Sequence, residues 1–125
     1  MSKIKIVLAE DDTTLSKYLK ASFDEDGGFE VFTAMDGEEA IKIITSKVPD
    51  MVLLDIIMPK KNGFEVLEAI KANAKTKKIP VIMLSNLSQE KDVEQAKELG
   101  ANDFFVKVDF ETSEIIAKVK AVMKK

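Results

Sequence analysis

Two periods alternate along this chain. Short apolar runs suited to strands occupy residues 4–9, 29–34, 51–54, 80–84 and 103–106, and after each the apolar residues recur at helical spacing. Leu15, Leu19 and Phe23 mark the first helix, which Asp12 or Thr13 can cap and Gly27-Gly28 ends. Asp36 caps the second, with Glu39 placed to complete a capping box, and Ala40, Ile43 and Ile44 carry it toward Pro49. The third is expected over 64–74, with Val66, Leu67 and Ile70 inward. Ser88 opens a fourth that carries Val93, Ala96 and Leu99 and stops at Gly100. Thr112 or Ser113 starts the last, striped by Ile115, Ile116, Val119, Val122 and Met123. Strict strand–helix alternation with short connections predicts an α/β fold, a five-stranded parallel sheet with five helices covering both faces. A closed barrel would need about eight such units, so the sheet is expected to be open.

The run 51–54 has no polar position, as befits a strand buried on both faces, yet it leads directly into Asp55. Pro59 and Asn62-Gly63 then break the chain, so Asp55 should stand at a strand's carboxyl end, facing a loop. In open α/β sheets that edge is where ligands bind. Parallel strands place all their carboxyl ends together. They gather Glu10-Asp11-Asp12 after the first strand, Asp55 after the third, Ser85-Asn86 after the fourth and Lys107 after the fifth.

Composition narrows the chemistry. The 125 residues are 46% hydrophobic and 33% charged, a globular balance with enough chain for a core. A net charge of −3 with interspersed signs indicates no nucleic-acid footprint. No cysteine is present, which excludes disulfides and thiolate chemistry and suits a reducing compartment. No histidine is present either, which removes the usual general base and the commonest metal ligand. The apolar run 4–9 is too short for a signal or membrane segment, so a soluble, cytoplasmic domain is expected.

Two carboxylates ~4 Å apart repel by roughly 4 kcal/mol at an effective dielectric near 20. A cluster of three should therefore raise a pKa or recruit a cation. All-oxygen ligands select a hard ion, and Mg²⁺ suits a few carboxylates together with a phosphate. A carboxylate beside Mg²⁺ and Lys107 can attack a phosphorus, with Ser85 donating to a phosphoryl oxygen. Each feature has a plainer explanation by itself. The acidic triplet can cap a helix, Asp55 can be a loop-start acid, Lys107 a surface lysine, and Phe104 and Phe105 sheet-face aromatics. Their coincidence at the ends of four neighbouring strands favours the chemical reading.

At these residues the chain resembles the response-regulator receiver domains of two-component signalling. The likeness runs from 4–12 through Asp55-Ile56-Ile57-Met58-Pro59 and Gly63 to Ser85 and Phe105-Val106-Lys107, essentially the whole of 1–125, read as a single receiver domain. It implies sheet order 2-1-3-4-5. It implies that Asp55 accepts a phosphoryl group from a histidine kinase or phosphotransfer protein. Mg²⁺ would be held by Asp11, Asp55 and the Ile57 carbonyl, with Glu10 acting directly or through water. Lys107 would bind the phosphoryl group, Ser85 would move toward it, and Phe104 would be the switch aromatic. The face made by the fourth helix, fifth strand and fifth helix would then change its affinity for a downstream target protein, with homodimerisation on phosphorylation left open. Neither nucleic acid nor membrane is expected as a direct partner, and the chain is expected to assist its own phosphorylation without acting on a diffusible substrate.

Asn86 stands where the family usually has a small residue, Val108 where it usually has proline, and Phe104 where tyrosine is commoner. These positions support an alternative, a receiver-shaped interaction scaffold independent of phosphorylation. Ile57 and Leu87, two residues past Asp55 and Ser85, are apolar and cannot orient water, which implies slow loss of the phosphoryl group. A haloacid-dehalogenase-like phosphatase would want an aspartate where Ile57 lies. A flavodoxin-like protein would want a phosphate-cradling loop where Glu10-Asp11-Asp12 would repel phosphate.

Overall fold

A computed structural model of the chain describes residues 3–85, 90–106 and 112–123. Five strands alternate with five helices: β1 Ile4–Ala9, α1 Thr13–Asp26, β2 Phe29–Ala34, α2 Gly37–Lys47, β3 Met51–Asp55, α3 Gly63–Ala72, β4 Val81–Ser85, α4 Glu90–Glu98, β5 Asp103–Val106 and α5 Thr112–Met123. All pairings are parallel, in the order β2-β1-β3-β4-β5. The expected fold class and strand order are both observed. Among the described residues, no helix is long and apolar enough to cross a membrane.

The two-residue period of the strands divides the core into two layers. Val7, Ala9, Val52, Leu54, Val81 and Met83 face α2, α3 and α4, whose Ala40, Ile44, Val66, Leu67, Ile70 and Ala96 cover them. Ile6, Leu8, Met51, Leu53, Ile82 and Leu84 face α1 and α5, where Leu19, Phe23, Ile115 and Val119 pack. In this second layer Phe23 and Phe29 meet edge to face, with ring centroids 4.9 Å apart. Both sides of β3 and β4 are thus buried, which explains their unbroken apolar sequence.

Helix starts differ in detail from the sequence expectation. Asp12 caps α1 by accepting from Leu15 N–H at 3.0 Å. Asp36 caps α2 through Glu39 N–H at 2.8 Å, but the Glu39 carboxylate reaches back to Met35 N–H, one residue short of a reciprocal box. The complete capping box lies instead on α3, where Asn62 and Glu65 satisfy each other's backbone N–H groups. That helix stops at Ala72, two residues earlier than expected, where Asn73 leaves helical geometry and its side chain accepts from Lys75 N–H. Lys71 on its last turn donates to the carbonyls of Lys77 and Ile79, and burial pushes its ammonium below the ordinary lysine pKa. The expected cap Ser88 lies outside the described residues.

Helix α2 ends on Val48 at φ 44°, a left-handed conformation that crowds a β-branched side chain. Asparagine adopts that conformation with less strain. Val48→Asn should therefore raise stability by about 1 kcal/mol, or roughly 4 °C in Tm. Thermal and urea unfolding check this, and a lower midpoint would show that the half-exposed valine contributes more by packing than it loses by strain.

Candidate functional site at the carboxyl edge

Strand register builds the acidic pocket. Ala9 pairs with Leu54, so one step further along two parallel strands brings Glu10 beside Asp55. Carboxylate oxygens of Glu10, Asp11 and Asp55 all lie within 4.8 Å of one another. Glu10 and Asp55 are buried at 0% and 4% exposure, while Asp11 faces solvent. The Glu10 carboxylate is oriented by Asp12 N–H at 3.0 Å, and its own N–H continues the ladder to the Ala34 carbonyl. Of the acidic triplet, then, Asp12 serves the helix and the other two turn to the pocket.

On the other side of β3, Asp55 pairs with Leu84, the residue before Ser85. Ser85 is buried at the end of β4. Opposite it stands Val106, the last residue of β5. Lys107, Asn86, Leu87 and Val108 lie outside the described residues. Phe104 is not at this edge. It pairs with Met83, two positions back along β4, and half-buried it lines a cavity of about 260 Å³ with Val93, Ala96 and Lys97 of α4.

The loop from Ile56 to Asn62 follows Asp55 directly. Ile56 and Met58 are sunk into the apolar layer beneath α2 and α3, leaving Ile57 between them 60% exposed. Gly63 N–H donates to the Ile56 carbonyl at 2.7 Å, drawing the two ends of the loop together. A Cβ on Gly63 would sit 2.8 Å from Ile56 Cα and 2.9 Å from the Asp55 carbonyl carbon, so only glycine fits. At the outer bend, Lys61 N–H donates to the Pro59 carbonyl at 2.8 Å and Lys60 has φ 69°, which makes a γ-turn. The same carbonyl accepts from Gly37 N–H at the start of α2, at 3.2 Å. Gly37 and this double use of Pro59 gave no sign in the sequence beyond a glycine following a helix cap.

The donor set is wholly oxygen and in large part buried, which fits a hard divalent ion and fits no soft one. A parallel 2-1-3-4-5 sheet with an acid cluster at its carboxyl edge defines an α/β module of the kind that receives phosphoryl groups. Residues 6–120 match the family model of the response regulator receiver domain, and the chain belongs to that family. It is 39% identical over 121 residues to the transcriptional regulatory protein CpxR of Klebsiella pneumoniae, covering 97% of this chain and 50% of that protein. A probable transcriptional regulator of Guillardia theta, ycf27, is 37% identical over 99% of this chain and 47% of its own length. The chain thus spans about half the length of these regulators. Among solved structures it resembles the chemotaxis protein CheY4 of Vibrio cholerae (TM-score 0.90, 25% identity, covering 97% and 99% of the two chains). It also resembles the structure of a Borrelia burgdorferi CheX–CheY complex with BeF3 and Mg²⁺ (TM-score 0.90, 31% identity, 99% and 92%).

Like charges this close repel, and a bound divalent ion would screen them. The buried Glu10–Asp55 pair alone corresponds to roughly 3–4 kcal/mol of repulsion at an effective dielectric near 20. Asp11→Asn and Asp55→Asn should each raise Tm by a few degrees in EDTA, on the order of 1 kcal/mol after screening. Added Mg²⁺ should stabilise the native protein and leave the variants behind. Calorimetric melts with and without Mg²⁺ test this, and destabilisation of both variants in EDTA would mark the carboxylates as structural caps.

Proposed function

We propose that Asp55 is the phosphoacceptor of a two-component switch, with residues 1–125 acting as one receiver domain. One observation carries this reading: the convergence of Glu10, Asp11 and Asp55 within 4.8 Å at the sheet's carboxyl edge. Asp11, Asp55 and the Ile57 backbone carbonyl would hold Mg²⁺, with Glu10 joining directly or through water. Bound there, the ion neutralises charge developing on the transferred phosphoryl oxygens. The Borrelia relative, solved with BeF3 and Mg²⁺, supports the same chemistry here.

An Asp55 carboxylate oxygen attacks the phosphorus of a donor phosphohistidine in line with the leaving nitrogen. The new O–P bond forms as the N–P bond breaks, and the imidazole of the donor departs. Burial of Asp55 strips water from the nucleophile and restricts the approach to the loop side. The Ser85 hydroxyl donates to one phosphoryl oxygen, and the Lys107 ammonium pairs with another. The extra charge draws the end of β4 toward it, which biases the packing of Phe104 under α4. Output then passes through the α4-β5-α5 face to a downstream protein. A histidine kinase or phosphotransfer protein supplies the phosphoryl group, nucleic acid is not touched directly, and the setting is the cytoplasm.

Incubation with acetyl phosphate and Mg²⁺ should add the mass of one phosphoryl group to the native chain and none to Asp55→Asn. Beryllofluoride with Mg²⁺ should shift amide resonances around Asp55, Ser85 and Phe104. A chain that takes up neither reagent is a scaffold independent of phosphorylation.

Ile57 is exposed and carries nothing that could align a water molecule against phosphorus. Replacing it and Leu87 by Asn and Glu should shorten the phosphoaspartate lifetime by on the order of 100-fold, the lower end of what one positioned general base contributes. An unchanged decay rate would place control of hydrolysis elsewhere.

A further inference from the structure

The backbone around Pro59 is held from a distance. Gly37 opens α2, far from Asp55 in sequence, yet its Cα is pressed against the main chain of Lys61. A Cβ there would lie 2.6 Å from Lys61 Cβ and 2.7 Å from its carbonyl carbon, and would run into the carbonyl oxygen. Backbone cannot swing aside as a flexible side chain can. The close approach lets Gly37 N–H reach the Pro59 carbonyl, which also closes the γ-turn with Lys61 N–H. Around the same seam Lys60 Nζ lies 3.8 Å from Asp36 Oδ2 and 4.0 Å from Glu38 Oε2, tying the bend to the first turn of α2.

We propose that Gly37 is a positioning residue for divalent-ion binding, acting through the Pro59–Lys61 bend to hold the loop that carries the Ile57 carbonyl. This rests on the reading of the Glu10, Asp11 and Asp55 cluster as a Mg²⁺ site. The loop has two fixed ends: Gly63 seats its far end against Asp55 and Ile56, and Gly37 seats its bend against α2. Between them Ile57 has no side-chain anchor of its own, being exposed, so the place of its carbonyl depends on both seats. A side chain at Gly37 displaces the bend outward and moves a backbone ligand while leaving every carboxylate in place. Groups that orient ligands in this indirect way commonly alter metal affinity by roughly 10–100-fold.

Mg²⁺ affinity, measured by calorimetry and by NMR titration of the native chain, Gly37→Ala, Lys60→Glu and Gly28→Ala, tests the idea. Gly28→Ala is the matched control, since its Cβ would meet only Asp26 Oδ2, at an ordinary 3.5 Å. Folded Gly37→Ala should bind Mg²⁺ at least about tenfold more weakly and recover phosphorylation by acetyl phosphate when Mg²⁺ is raised, while Gly28→Ala is unchanged. Binding in folded Gly37→Ala within about twofold of the native value would overturn the proposal. Where Gly37→Ala does not fold, Lys60→Glu decides. Its added negative charge should by itself tighten cation binding, so weaker binding reports a displaced bend, and unchanged or tighter binding rejects the link. Failure of the native chain to bind Mg²⁺ would instead remove the metal-site reading beneath it.

Discussion

Like charge held at short range is what the carboxyl edge is built around. Repulsion between acids falls only as the inverse of distance, and burial of Glu10 and Asp55 leaves little water to screen it. The backbone enforces the proximity. With Ala9 opposite Leu54, no rotation of the strands relative to each other keeps the ladder and separates the next two residues. Over the paired residues Ile6 to Ala9 and Met51 to Leu54 both strands are apolar on both faces, so slipping the register by one residue would put an entire side-chain set into the wrong layer. The energy of two hydrophobic layers is thereby used to hold carboxylates where they would not stay by themselves. In a pocket of that kind, a cation or a phosphoryl group would act through the same electrostatics.

The loop after β3 is held by different means, with backbone brought against backbone at Gly37 and Gly63 and one carbonyl, that of Pro59, serving two donors. The ion pairs of Lys60 with Asp36 and Glu38 add to this steric seam, and reversing the Lys60 charge would turn both attractions into repulsion. One consequence is that the first turn of α2 and the loop after β3 share a mechanical seam.

Most of the fold was legible because tertiary context agrees with local pattern. The strand bounds 4–9, 29–34 and 103–106 coincide with those observed, since each apolar run begins and ends at residues that also break structure. Periodicity found the buried stripe of α3 for the same reason: Val66, Leu67 and Ile70 are all enclosed. It failed at helix ends. Whether Glu39 reaches Asp36 or Met35 is a matter of a single backbone turn, and the alternation of residues carries no trace of it. Asn62-Gly63 was legible as a break but not as a capping box, because the same dipeptide suits a turn as well. The acids were legible through strand ends alone. Gly37 was not, because its neighbour Lys61 is close only in space.

Phe104 shows how sequence and site can be joined without contact. Half-buried beside a cavity under α4, it has room to move that the tightly packed Met83 across the ladder does not. Helix α4 contributes a single fully buried side chain, Ala96, and is otherwise mostly charged, so its hold on the sheet is weak compared with that of α3. A weakly held helix over a cavity is the part of this molecule whose packing a small energy can change. In the proposed switch, charge added at Asp55 would supply such an energy at the edge where β4 ends. The strand that carries Ser85 also carries Met83, the residue paired with Phe104, so in that reading a shift of the serine toward a phosphoryl group would be passed along the strand to the partner of Phe104. Coupling between the acidic pocket and the α4 surface thus needs no chain of side chains, only the stiffness of one buried strand.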